Sequence, residues 1–155
     1  MLARNPSSPR RRGAATVEFA VVIPVLLVFV LGIIEIGRLV MVAQVNTNAA
    51  REAARYAAQG GADAAAVEAY TRNYLTSAGV SNAAAGTGSA VTITVETRPS
   101  DGGAWVATAN PSALPSGRPI RVTVSANFNQ QSWLPSRFFV GENTQVQGVA
   151  GMRNE

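Results

Sequence analysis

Few residues in this chain can do acid–base or nucleophilic chemistry: nine carboxylates and thirteen arginines, with no cysteine, histidine or lysine. Arginine stays protonated and serves poorly as a general base or Schiff-base amine. Without cysteine there is no disulfide framework, no thiolate metal site and no thiol nucleophile. Asp63, Glu68, Glu96, Asp101 and Glu142 are scattered among loops and polar faces. The runs G-T-G and D-G-G lack the strand-then-helix context of a phosphate loop. The chain therefore reads as non-enzymatic, with no cofactor and no metal, and an anchored enzyme would need a carboxylate cluster in a cleft.

The formal charge of +4 is unevenly placed. Four arginines (Arg4, Arg10, Arg11, Arg12) precede Ala14, and from Ala14 onward nine arginines balance nine acids. The high pI thus belongs to a short basic leader, residues 1–13. The body has no aromatic-interleaved basic stripe of the kind that tracks phosphates, and nucleic acid is not an expected partner.

The elements that must position these charges begin with an apolar run. Residues 19–34 contain no charge, and after an interruption at 35–38 the apolar character resumes to residue 43. As helix, residues 14–45 exceed the roughly 30 Å of a bilayer's hydrocarbon. The apolar residues occupy every face, unlike a surface helix, and a chain this short could hardly enclose them as a core helix. A single membrane span is expected, with membrane lipid as its surroundings. Basic residues beside a span stay cytoplasmic, so Arg10, Arg11 and Arg12 act as the retention signal and residues 46–155 are exported. A cleaved secretory signal is the rival reading, but the run exceeds the usual apolar region and no clear cleavage site follows it. Pro24 predicts a kink or local unwinding.

Three charges stand in unusual places. Glu18 opens the apolar run, where an unpaired carboxylate costs a few kcal/mol unless it snorkels to the interface or meets a partner. Glu35 and Arg38 share a helical face at a spacing that permits an internal pair, an intersubunit contact, or a simple end to the span. The stretch R-R-R-G-A-A-T-V-E-F, with Gly13 just before the run and Glu18 five residues later, resembles the type IV prepilin signal. That resemblance implies cleavage by a prepilin peptidase between Gly13 and Ala14. The cut would free an α-amine at Ala14 about one turn from Glu18, and a neighbour's carboxylate could neutralise it in lipid. Ala14 stands where mature type IV pilins usually begin with phenylalanine or methionine.

R-G-A-A-T-V-E-F, the proline-interrupted run, G-I-I-E-I-G-R and A-A-R-E-A-A-R-Y-A follow in order over about residues 10–58. Together they resemble the TadE-like family of tight-adherence (Tad) pilus proteins. The resemblance implies a minor pilin or pseudopilin in the bacterial inner membrane, processed by a prepilin peptidase. Its implied partners are other pilin-like subunits and the Tad assembly machinery. A membrane-tethered adhesive or ligand-binding module is the alternative, suggested by the aromatic residues at 133–139.

The remainder predicts an α+β fold. Two four-residue alanine rows, Ala49, Ala53, Ala57 and Ala50, Ala54, Ala58, extend the first helix to Gly60-Gly61 as a stalk, giving a transmembrane and stalk helix over 14–59. A second short helix is expected from an Asp63 N-cap to Ala78, stopped by Gly79, with Val67, Tyr70, Tyr74 and Leu75 on one face and a Glu68–Arg72 pair. After a flexible connector at 81–89, alternation from Val91 to Val95 and from Ile120 to Phe128 predicts half-buried strands. A short strand is expected at 104–109, and a last one at 144–152 with a bulge at Gly148. Residues 60–155 would form a small exported domain with an antiparallel sheet, and Trp105, Trp133, Phe138 and Phe139 are expected as sheet-core residues or surface anchors, core being the favoured reading.

Overall fold

The computed structural model describes residues 10–60, 62–80, 83, 90–99, 102–131, 140–141 and 143–155. Helix α1, Arg10–Ala58, is 49 residues long and passes Pro24 without a break. Of the two outcomes expected there, unwinding does not occur. The helix stops at Ala58, slightly before the expected Gly60-Gly61, and Gly60 takes φ +77 to turn the chain.

Helix α2, Ala64–Ser77, starts where Asp63 caps it, the carboxylate accepting the Ala66 N–H at 2.7 Å. Such a cap contributes about 1 kcal/mol. At the other end Val80 N–H reaches Leu75 O at 3.0 Å and Gly79 N–H reaches Thr76 O at 3.1 Å, with Gly79 at φ +80. Those two bonds satisfy helix-end carbonyls in the Schellman arrangement. The buried stripe of α2 is Val67, Thr71 and Leu75 rather than the expected row with Tyr70 and Tyr74. Thr71 can be buried because its hydroxyl donates to Val67 O at 2.6 Å. Tyr70 instead stacks on Tyr56 of α1, centroids 4.6 Å apart, and Tyr74 is exposed. The Glu68–Arg72 pair is formed at 2.8 Å.

The strands are β1 (Val91–Thr97), β2 (Val106–Ala107), β3 (Pro119–Asn127) and β4 (Gln145–Arg153), in the order β2-β1-β3-β4 and all antiparallel. This is the α+β architecture the alternation predicts. On β3 the pattern is strict, and Ile120, Val122, Val124 and Ala126 are fully buried, continued by Phe128. Burying each of the larger of these contributes about 1.5–3 kcal/mol.

The two helices cover that inner face, α1 over β3 and β4, and α2 beside β1. α1 meets the sheet through its alanine rows, all six buried. The contact is closest at Gly148, where a Cβ would lie 2.3 Å from the Asn46 carbonyl carbon and oxygen. Gly148 pairs with Val124 in regular register, so the expected bulge is absent. Its glycine admits the helix backbone. Beside it Asn46 Nδ2 donates to Val146 O at 2.9 Å. Further along, Glu155 N–H reaches Ala58 O at 3.2 Å, so β4 and α1 run in the same direction, side by side.

Candidate functional site

The residues singled out by sequence all lie on α1, but the helix holds them at two places rather than one. Arg10, Arg11 and Arg12 occupy its first turn, followed by Gly13, Ala14 and Glu18, which are exposed. Glu35 and Arg38 lie at the other end of the apolar run, about 26 Å along the axis from Glu18. Within one chain the two acidic positions do not meet.

Gly13 sits inside the helix, where glycine costs roughly 1 kcal/mol relative to alanine. A Cβ built on it meets nothing within 4 Å. Among the described residues, no turn, close approach or positive φ calls for a glycine there.

Between the two places the large apolar side chains face outward. Phe19 is 66% exposed and Phe29 71%, and valines, leucines and isoleucines on all sides of the helix are exposed with them. Val21, Val22, Val25, Leu26 and Phe29 line an open apolar depression of about 380 Å³. This one helix is long and apolar enough to cross a membrane.

Glu35 is fully buried although its neighbours Ile34 and Ile36 are exposed. One turn on, Arg38 Nε donates to Gln131 O at 2.6 Å, which ties α1 to the end of the short 3-10 turn Phe128–Gln130. Arg38 also lines a small crevice of about 40 Å³ with Met41, Val42, Val45, Val80 and Gln131. Sequence reading missed Gln131 as a partner of α1 and Asn46 as the α1 residue that bonds β4. Asn46 had a signal, since it stands in the row Val42, Asn46, Ala50, Ala54 at four-residue spacing, a polar residue in an otherwise apolar file.

Four of the described carboxylates outside α1's apolar half, Glu52, Asp63, Glu68 and Glu96, have structural partners. Asp63 caps α2, Glu68 holds Arg72, and Glu96 holds Arg121 at 2.7 Å. Glu52 pairs with Arg55 on α1 and accepts the Tyr70 hydroxyl at 2.9 Å, clasping α1 to α2. The Arg55 hydrogen bond, then that from Tyr70, holds the Glu52 carboxyl below its ordinary range, and the hydrogen bond to Glu52 pushes the Tyr70 phenol up. Trp105 is half-buried between two guanidinium groups, Arg121 at 4.3 Å and Arg98 at 4.6 Å from its centroid. It packs beside the outward-facing Glu96–Arg121 pair rather than in the core. Trp133, Phe138, Phe139, Asp101 and Glu142 lie outside the described residues, as does nearly all of the expected 81–89 connector. Among the described residues no group of three or more acids could hold a metal ion.

Compared with known proteins, residues 13–55 match the family model of TadE-like proteins. The match starts at Gly13, runs through Glu18, Glu35 and Arg38, and ends within the alanine-rich half of α1. No curated protein and no solved structure matches the chain. Over residues 13–55 the chain is thus similar to TadE-like proteins, and that stretch lies on one long helix that opens with an apolar run.

Proposed function

We propose that the chain is a minor pilin or pseudopilin-like structural subunit for Tad-type pilus assembly. A prepilin peptidase removes residues 1–13 by cutting between Gly13 and Ala14. Residues 14–59 form the span and stalk, with the N-terminus cytoplasmic in the bacterial inner membrane, and residues 60–155 are exported. The observation that carries this reading is the bare apolar half of α1: its own domain leaves large side chains exposed all round, as a helix destined for lipid and then for other helices would require. Gly13 supports the processing step, since nothing among the described residues needs a glycine there and a peptidase would.

After cleavage the Ala14 amine would lie about one turn from Glu18, within reach of a neighbouring subunit's carboxylate in a low dielectric. Mass spectrometry of the membrane-extracted protein is expected to find Ala14 as the N-terminus. An intact leader in cells with active prepilin peptidase would end the processing reading. Glu18→Gln should insert normally yet recover fewer pilin-like partners in a pull-down, whereas unchanged recovery would remove Glu18 from assembly.

A further inference from the structure

We infer that the exported domain does not stand clear of the bilayer on a stalk but is seated in its outer headgroup layer, by the end formed by the α2 terminus and Gln131. This rests on the reading of α1 as one membrane span. Three observations lead to it.

The first is how far down α1 burial extends. Gly32 and Glu35 are buried and Arg38 is bonded to Gln131 O, all at or within the margin of the apolar run. The second is length. Exposed apolar residues from Val17 to Ile34 cover about 26 Å of axis, short of a hydrocarbon layer of about 30 Å. On the flank the domain leaves open, exposure continues through Ile36 and Val40, to about 35 Å. If lipid covers the open flank, its boundary falls near residues 36–40, level with or above the start of the domain on the other flank.

The third is the distribution of charge along the domain. The sheet register puts Val91, Ala126 and Val146 at the end near Arg38, and Thr97, Ile120 and Met152 at the far end. Ion pairs Glu52–Arg55 and Glu96–Arg121 lie toward the far end, as do Arg118 and Arg153. At the near end, residues 73–80 and 128–131 carry no charge, and exposed Tyr74 is of the type that settles at membrane interfaces. Arg72, the nearest charge on α2, is bound to Glu68 and to the carbonyls of Ala83 and Val91. An end whose described residues outside α1, 73–80 and 128–131, are uncharged and bear hydroxyls and amides, continuous with a lipid-facing helix, fits the glycerol and headgroup layer of a phospholipid bilayer.

The natural absence of cysteine permits a direct test. Leu26→Cys, Ser77→Cys and Ser116→Cys of the full chain are each labelled with a nitroxide in vesicles of phosphatidylethanolamine and phosphatidylglycerol. Collision with oxygen and with a water-soluble nickel chelate gives the depth of each label. The label at 26 should lie in hydrocarbon. The label at 77 should lose nickel accessibility relative to the distal label at 116, and Thr76→Cys should repeat that loss. A label at 77 as accessible as that at 116, with 26 still in lipid, overturns the seating and leaves the span standing. A water-exposed label at 26 overturns both.

Discussion

One helix obeys two packing rules. In the first half of α1 the large residues Val25, Leu26 and Phe29 face outward, while in the second half Ala49, Ala50, Ala53, Ala54 and Ala57 are buried. Size runs opposite to burial because the two halves answer to different partners. A sheet can approach a helix to backbone contact only over side chains as small as alanine, and at one point only over Gly148. Lipid tails conform to any surface, so bulk there is free to vary. The family match spans both halves of the helix and stops short of the sheet.

The sharpest way to break this contrast is at the closest approach. Gly148→Val would drive a side chain into the Asn46 backbone and should destabilise the domain by about 3 kcal/mol or more, read by urea unfolding in detergent with tryptophan fluorescence. A neutral outcome would mean that helix and sheet are not in the contact described. Next in size, Ala53→Leu should cost about 1–3 kcal/mol by overpacking, whereas Leu26→Ala should change domain unfolding by less than about 0.5 kcal/mol. Equal losses would show that the two halves share one core.

The smallest effect lies in the Glu52 clasp and depends on pH. Its carboxyl is held below the ordinary value, so the stabilisation is present above the pH where a free glutamate titrates, about 4.3, and is lost as pH falls through the lowered one. Tyr70 has the opposite sign: its raised phenol leaves its contribution intact below the ordinary tyrosine range and removes it as pH rises through the folded value. The melting-temperature gap between the parent chain and Glu52→Gln should therefore narrow at acid pH. A gap independent of pH would place the effect in packing rather than charge.

Periodic features were legible in the sequence because their cause is local. β3 alternates without fault from Ile120 to Phe128, and the alanine rows and the Asp63 and Gly79 caps of α2 fall where read. Features with distant or doubly available causes were not. Gly148 in a strand fits a bulge or a close approach equally, and the residue that decides, Asn46, is about a hundred positions away. Thr71 reads as polar until its hydroxyl is turned back onto Val67 O. Trp105 reads as core by size, yet two arginines stack on it at the sheet's outer side. Of the candidate site, the positions of Gly13 and Glu18 on exposed helix were readable, while the bond from Arg38 to Gln131 was not.

The continuity of α1 has a mechanical side. With no joint between its apolar run and its alanine rows, the helix is a lever, and its bearing is wherever the bilayer grips it. A tilt of about 20°, ordinary for a membrane helix, would carry the far end of the domain sideways by about 10 Å. On the proposed reading, the lean of the span would set which way the charged distal end, with Arg121 and Trp105, points, and a change in bilayer thickness would re-aim it without altering one contact inside the fold.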